Sequence, residues 1–324
     1  MLGWVNFLVA QSKIIVSAAG PADFRTIQAA INSIRDTNIV TTIFIRNGTY
    51  NEKLLIEKPN IVFQGENREN TLIRFSIARD EWRCDHADDW GVATMNVRAN
   101  DITLKDLSVI NSFGFEFKEQ TIDCASDTVM HKKQLRKDGH QMALRVMNAS
   151  RLKAINCHFA AYGGDTVSPW DVENGFWYFK DCIMEGGVDF YCPRGWAWAE
   201  NCTFISHTGP AAIWHDGSHN EDSKSVLVNC NFKGYDGFYL GRYHRDAQIY
   251  LLNCSFAKNM RDTAIYLVPT NNLIQWGKRI YYYNCHREGG NDYSWYSNDL
   301  PSGTKAENIT IDWVFHGKWH PEKE

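Results

Sequence analysis

Three polar segments of the chain carry residues whose types and spacing could perform hydrolysis. Asp165 follows Gly163-Gly164, Asp189 follows Gly186-Gly187-Val188, and Arg242 lies further along the chain. Two carboxylates and a guanidinium on one surface can supply a nucleophile and a general acid–base. Spacing alone equally allows a network of surface salt bridges, so the elements that carry these residues decide between the two interpretations.

A phrase of Asn or Asp followed by Cys recurs along the chain and predicts those elements. Six of the nine cysteines stand in this phrase: Cys157, Cys182, Cys202, Cys230, Cys254 and Cys285. Successive copies are 25, 20, 28, 24 and 31 residues apart, and a unit of this length indicates a solenoid. Each unit is rich in strand formers and turn residues, so the sequence predicts an all-β protein built as one parallel β-helix. The aspartates, 24 residues apart, are then predicted to lie side by side on adjacent coils, with Arg242 two repeats further on.

The repeated cysteines are interpreted as core residues. In a stack of coils, equivalent side chains lie about 4.8 Å apart, and small apolar thiols can form an interior ladder. Spread over six coils, they lack the spacing of a zinc site, and we expect them to be reduced and buried. His215, Asp216 and His219 have the spacing of a metal pair but are interpreted as part of a polar loop. We therefore expect no metal site at these residues.

The N-terminal part differs from the repeats. Asp23 to Ile34 places apolar residues three and four positions apart, which predicts an amphipathic helix that caps the open end of the solenoid. Residues 1–12 are interpreted as the remnant of a signal peptide, and we expect a secreted or periplasmic protein. No later run approaches the about 18 apolar residues of a membrane span. Without a recognisable linker, we predict one domain over residues 1–324.

Several phrases resemble the pectin methylesterase family, in the family's order from about residue 14 to about residue 260. The opening phrase from Phe24 to Ile31 resembles F-x-T-I-Q-x-A-I, that from Thr42 to Lys53 resembles I-x-x-G-x-Y-x-E-K, and that from Phe63 to Glu66 resembles its G-E turn. Further on, Gln141 to Val146 resembles Q-A-V-A-L-R-V, Asp165-Thr166 resembles Q-D-T-L, Val188 to Phe190 resembles V-D-F-I-F-G, and Leu240 to Arg242 resembles L-G-R-P-W. The resemblance implies a right-handed parallel β-helix and hydrolysis of methyl esters on an acidic polysaccharide, with no need for a metal or an organic cofactor.

The resemblance also implies a role for each charged residue. Asp189 is the expected nucleophile, and Asp165 is the expected acid that protonates the departing methanol and then activates water. Arg242 is expected to orient Asp189 and keep it ionised. Like charges raise one carboxyl pKa, whereas a neighbouring guanidinium lowers the other.

The chain departs from the family pattern around these residues. The family's Gln before the first Asp is Gly164 here. For the other Gln that stabilises the oxyanion, a strict alignment gives His140, and Gln141 is one position on. Strand alternation turns these two side chains in opposite directions. We expect Gln141 to be a catalytic residue and His140 to contact the substrate.

The other expected substrate contacts surround the catalytic positions: Tyr191, Arg194, Tyr243, His244 and Trp170. Tyr243-His244 replaces the family's Pro-Trp and removes an expected sugar-stacking ring. The hypothesis for Arg194 is that it binds a free carboxylate of the substrate, because a guanidinium grips a carboxylate with two parallel hydrogen bonds. The alternative is that Arg194 and His244 point to solvent.

Three functions remain open at this stage. The leading interpretation is a carbohydrate esterase that acts on a pectin-like uronic-acid polysaccharide. The alternatives are a non-catalytic β-helix that binds glycans and a β-helix polysaccharide lyase. The net charge of −4 argues against nucleic acid as a partner, and we expect a monomer without a membrane partner.

Overall fold

The strands of the chain stack into three parallel sheets that run along one axis. The structure is a computed structural model that describes residues 12–124, 131–215, 217–296 and 298–323. The signal-peptide remnant expected over residues 1–12 lies outside this description except for Ser12, and Asp216 lies outside it as well. Strands are numbered in chain order across all sheets.

Sheet A has ten strands and forms one long face of the solenoid. Its strands, in spatial order, are β1 (Ser12–Val16), β2 (Thr41–Ile45), β5 (Ile61–Gly65), β8 (Ile102–Lys105), β13 (Leu152–Ile155), β16 (Phe176–Lys180), β18 (Trp196–Glu200), β21 (Ser225–Val228), β24 (Gln248–Leu252) and β27 (Arg279–Tyr283).

Sheet B has nine strands and follows sheet A in each coil. Its strands are β3 (Gly48–Asn51), β6 (Thr71–Phe75), β9 (Ser108–Asn111), β14 (His158–Ala160), β17 (Ile183–Gly186), β19 (Thr203–Ser206), β22 (Asn231–Gly234), β25 (Ser255–Phe256) and β28 (His286–Arg287).

Sheet C closes the coil and is interrupted in its middle. One part contains β4 (Leu54–Ile56), β7 (Ala93–Val97), β12 (Met142–Met147) and β15 (Val167–Trp170), and the other contains β20 (Ala211–His215), β23 (Tyr239–Tyr243) and β26 (Tyr266–Leu267). Isolated bridges from Val167 to Tyr191 and from Tyr191 to Ile213 connect the two parts. With all three sheets parallel, the predicted parallel β-helix is confirmed.

The remaining elements cover the ends and one flank. They are α1 (Ile27–Ser33), α2 (Arg79–Asp85), the antiparallel pair β10 (Thr121–Asp123) and β11 (Lys132–Gln134), a 3₁₀ helix (Ala306–Asn308) and α3 (Ile311–Phe315). Helix α1 is shorter than the predicted range, because Thr26 is its N-cap and Phe24 pairs with Val16 in a β-bridge. No helix in the described parts of the chain is long and apolar enough to cross a membrane.

The Asn-Cys phrase makes the bend between sheets A and B. In each copy, the Asn or Asp adopts left-handed backbone geometry, with φ between 50° and 54°, a region that Asn and Asp tolerate better than other non-glycine residues. The bend turns the following Cys into the core. All six cysteines of the phrase are buried free thiols, as predicted. The Asn side chains also bond along the axis: Asn201 donates to Asp181 at 3.1 Å, and Asn229 donates to Asn201 at 3.3 Å.

The cysteine pattern gives a first testable prediction. Cys192 is a seventh buried free thiol, and the other two cysteines form a disulfide between Cys84 and Cys124. Thiol titration of denatured, unreduced protein should therefore count seven thiols, and reduction should raise the count to nine. A count of three or fewer before reduction would contradict the ladder of free thiols.

Candidate functional site

Asp165 and Asp189 lie at equivalent bends of adjacent coils, where sheet B gives way to sheet C. Both have left-handed backbone geometry, with φ of 58° and 51°. The amide of Asp165 donates to the carbonyl of Val188 on the next coil at 3.3 Å. A Cβ at Gly163 would lie 1.9 Å from the carbonyl oxygen of Gly139, so only glycine permits this approach of the coils. The predicted pairing of the two aspartates is thus present.

Arg242 reaches back across one coil to the carboxylate of Asp189. Its Nε donates to Oδ1 at 3.0 Å, and its Nη2 donates to Oδ2 at 2.7 Å. Two parallel, charge-assisted hydrogen bonds fix the plane of the carboxylate. The side chain of Asp189 is 9% exposed, whereas that of Asp165 is 16% exposed. The buried carboxylate therefore has its orientation set by the protein, as the sequence predicted for Asp189.

The pKa of Asp189 is shifted in the direction opposite to the prediction. Burial raises the pKa of Asp189 above its ordinary value; the hydrogen bonds and charge of Arg242 lower it, and the neighbouring Asp165 raises it. The expectation that Arg242 would bring this pKa below its usual range was wrong, because desolvation of the carboxylate outweighs the guanidinium. The same contact raises the pKa of Arg242.

The two candidates for an oxyanion donor are placed very differently. His140 is bridged to Gly164, its side chain is 44% exposed, and its Nε2 lies 3.9 Å from Oδ1 of Asp165. Gln141 is fully buried: its Oε1 accepts from the Gly114 amide at 2.9 Å, and its Nε2 donates to the Lys137 carbonyl at 2.5 Å. The structure therefore gives Gln141 a different position from the one that its predicted catalytic role requires. Both ends of its amide bind backbone, because the side chain turns inward where that of His140 turns outward.

Two tyrosines predicted to contact substrate lie in the core instead. Tyr191 is fully buried, and its ring centroid lies 5.0 Å from that of Phe204. Tyr243 is also buried, and burial raises its pKa. The physical reason is strand alternation: Tyr191 is bridged to the inward-facing Val167, and Tyr243 follows the outward-facing Arg242.

Arg194 lies under a tryptophan and points neither to a substrate nor to solvent. It is 2% exposed, and its guanidinium lies 4.1 Å from the ring centroid of Trp170. It donates to Ser168 Oγ at 3.1 Å and to the Cys192 carbonyl at 2.6 Å. The guanidinium fits there because Ser168 and Cys192 have short side chains. The hypothesis that Arg194 grips a substrate carboxylate is therefore not supported, nor is the solvent-exposed alternative.

Trp170 and His244 border an open groove. The groove has a volume of about 430 Å³, and its walls include Trp170, His219, His244, Arg245 and Leu273. Trp170 is 36% exposed, and His244 is half-buried. Both side chains are thus partly open to solvent at this groove, and their contact with substrate stays a prediction.

Two residues near the carboxylates escaped the sequence reasoning. Cys192 places its Sγ 3.8 Å from Oδ1 of Asp165. Trp214 is the register partner of Arg242, with its ring centroid 5.2 Å from the guanidinium carbon. Trp214 and Arg242 are 28 residues apart, the same spacing as Cys202 and Cys230. That shared spacing was the signal that could have placed Trp214 beside Arg242.

Comparison with known proteins gives one consistent result. Residues 13–151 match the family model described as Pectinesterase, a stretch that ends before Asp165. Pectinesterase 11 of Arabidopsis thaliana is 27% identical over 291 residues, which cover 85% of this chain and 71% of the relative. Pectinesterase QRT1 of the same plant is 27% identical over 241 residues, which cover 71% of this chain and 57% of the relative.

Solved structures agree on the fold. Pectin methylesterase PemA from Erwinia chrysanthemi superimposes with a TM-score of 0.74 at 20% sequence identity. The superposition covers 95% of this chain and 98% of PemA. At this identity, the likeness establishes the shared parallel β-helix.

Proposed function

Because residues 13–151 match the pectinesterase family model and relatives over most of the chain are pectinesterases, we propose that the protein is a carbohydrate esterase that hydrolyses methyl esters of a pectin-like uronic-acid polysaccharide. The observation that carries the proposal is the pairing of Asp165 with an Asp189 carboxylate that is held by Arg242 through two hydrogen bonds. This arrangement supplies an oriented nucleophile and a neighbouring acid–base group without a further component.

In the first half of the reaction, a carboxylate oxygen of Asp189 attacks the ester carbonyl carbon. The attack requires Asp189 as a carboxylate, which Arg242 orients through its two hydrogen bonds, and it requires a proton on the neighbouring Asp165. The bond from the carbonyl carbon to the methoxy oxygen then breaks, and Asp165 gives its proton to that oxygen. Methanol leaves, and an anhydride joins Asp189 to the sugar carboxyl group.

In the second half, Asp165 acts as a base. Its carboxylate takes a proton from water, the water oxygen attacks the carbonyl carbon, and the bond to Asp189 breaks. His140 is the donor proposed for the negative oxygen of both tetrahedral intermediates, since it is exposed beside Asp165 while Gln141 is bound to backbone.

We also propose that the protein is secreted or periplasmic. The disulfide between Cys84 and Cys124 supports this location, because disulfides persist in oxidising compartments. The substrate would be met outside the cytoplasm as well, since polymers of this kind do not cross a membrane.

Methanol release tests the proposed reaction. Incubation with pectins of known methylation should release methanol and free carboxylates in equal amounts, without new absorbance in the ultraviolet. An unsaturated, ultraviolet-absorbing product would identify a lyase instead. Binding of the polymer without any methanol release would identify a non-catalytic glycan-binding protein, an alternative that the backbone-bound amide of Gln141 favours.

A further inference from the structure

Trp214 is the large member of a row of side chains that crosses the coils beside the aspartates. The bridges between Val167, Tyr191 and Ile213 put the next residue of each strand into one row, namely Ser168, Cys192 and Trp214. The row continues to Arg242, the register partner of Trp214. Ser168 and Cys192 are short and buried. The first large aromatic ring that this row offers next to Arg242 is therefore the indole of Trp214.

The indole is held against the groups that orient the nucleophile. Its centroid lies 5.2 Å from the guanidinium carbon of Arg242 and 4.7 Å from the ring centroid of His244, which meets it at an interplanar angle of 68°. Arg242 in turn binds Asp189 with both hydrogen bonds described above. A ligand that touches the open part of this indole is thus adjacent to the reacting carboxylate.

The surroundings of Trp214 are not those of a core tryptophan. Its side chain is half-buried, and no residue in the described parts of the chain accepts a hydrogen bond from its Nε1. The indole nitrogens of Trp177, Trp196 and Trp198 each have an acceptor. A ring with an open surface and a free donor is suited to a ligand that has both an apolar face and polar groups at its rim.

We propose that Trp214 is a substrate-binding residue, whose indole stacks on the apolar C–H face of the uronic-acid ring at the scissile ester. The inference rests on the proposed function and names the sugar-stacking side chain of that site. Tyr243-His244 offers no such ring in the strand that carries Arg242, because Tyr243 is buried. Trp214 supplies the ring instead, from the adjacent strand β20 on the preceding coil.

A stacking contact has a kinetic consequence that can be measured. Because the contact exists before and during the reaction, its loss should raise KM and leave kcat nearly unchanged. We expect Trp214→Ala to raise KM for methylated pectin about tenfold and to keep kcat within about threefold of the wild-type value. Trp214→Phe, which retains a ring, should show a smaller rise in KM.

A second readout separates stacking from mere positioning of Arg242. If Trp214 acted only by holding Arg242, then Trp214→Ala would change the ionisation of Asp189 and move the acid limb of the pH–rate profile upward. Under the stacking proposal, that limb stays in place while KM rises. An acid limb that moves with an unchanged KM would overturn the proposal.

Trp313 offers a matched control on α3, which packs against sheet A and not sheet C. It is also half-buried, and its ring centroid lies 4.5 Å from Nζ of Lys224. Trp313→Ala should leave KM unchanged. Binding of de-esterified oligogalacturonate, measured by calorimetry, should weaken about tenfold in Trp214→Ala and not in Trp313→Ala.

The outcomes distinguish the inference from the function on which it rests. If the wild-type protein releases methanol and Trp214→Ala has the wild-type KM and affinity, the stacking role is wrong and the esterase assignment stands. If the wild-type protein neither releases methanol nor binds the oligosaccharide, the proposed function fails, and the stacking role fails with it.

Discussion

Replacement of Asp189 by Asn should lower kcat by about four orders of magnitude or more while the fold persists. The amide cannot attack the ester, so the covalent step is lost. Asn is the appropriate replacement because residue 189 has a φ of 51°, a geometry that Asn tolerates and that would strain Ala or Glu. The measurement is methanol release at saturating substrate, together with a thermal melt that verifies folding.

A second variant, Asp165→Asn, and a control, Asp181→Asn, test the same mechanism. Asp165→Asn should lower kcat by about 10²- to 10⁴-fold, the range typical of a lost general acid–base. Asp181→Asn removes the same charge at a bend of the same geometry, with a φ of 54°, outside the site. Other copies of the repeat have Asn at this bend, so Asp181→Asn should retain full activity. Near-wild-type activity of Asp189→Asn or Asp165→Asn would contradict the two-aspartate mechanism.

Replacement of Arg242 by Gln should shift the acid limb of the pH–rate profile upward by about one pH unit or more. Burial already raises the pKa of Asp189, and Arg242 is the group that most opposes that rise. Hydrogen bonds to charged groups contribute about 1.5–3 kcal/mol, and one pH unit corresponds to about 1.4 kcal/mol. Activity requires ionised Asp189 and is lost as the pH falls through its pKa. A higher pKa therefore moves that loss to higher pH.

The pH–rate profile of kcat/KM for methanol release measures this shift. Arg261→Gln is a suitable control, because Arg261 binds the hydroxyl of Tyr239 on an adjacent coil and has no contact with Asp189. That variant should keep the wild-type limb. An unchanged limb in Arg242→Gln would mean that Arg242 does not control the ionisation of the nucleophile.

The features that the sequence predicted correctly are those fixed by local chemistry and by spacing. The Asn-Cys bend depends on an Asn or Asp that tolerates left-handed backbone geometry and on a small apolar Cys that is buried next to it. Both properties can be read from the phrase itself. Once the coil length was known, the 24-residue spacing placed Asp165 beside Asp189. The position of Trp214 beside Arg242 could have been predicted from the coil length as well, since Trp214 precedes Arg242 by one coil.

The features that could not be predicted from the sequence are determined by neighbouring residues on other coils. The position of Arg194 results from the space above Ser168, one coil away. The position of Gln141 is set by the amide of Gly114, which is 27 residues earlier in the chain. The disulfide between Cys84 and Cys124 lies outside the repeated phrase, so no spacing pointed to it.

The order of the site residues along the chain has a consequence for synthesis. Asp165, Asp189, Trp214 and Arg242 come from successive coils, and each coil of a solenoid contacts only its neighbours. A ribosome delivers these coils one at a time, with the N-terminal end first. The nascent chain therefore contains Asp189 without its guanidinium partner until two further coils have been laid down. Until then its last coil presents an open strand edge, to which another chain could add.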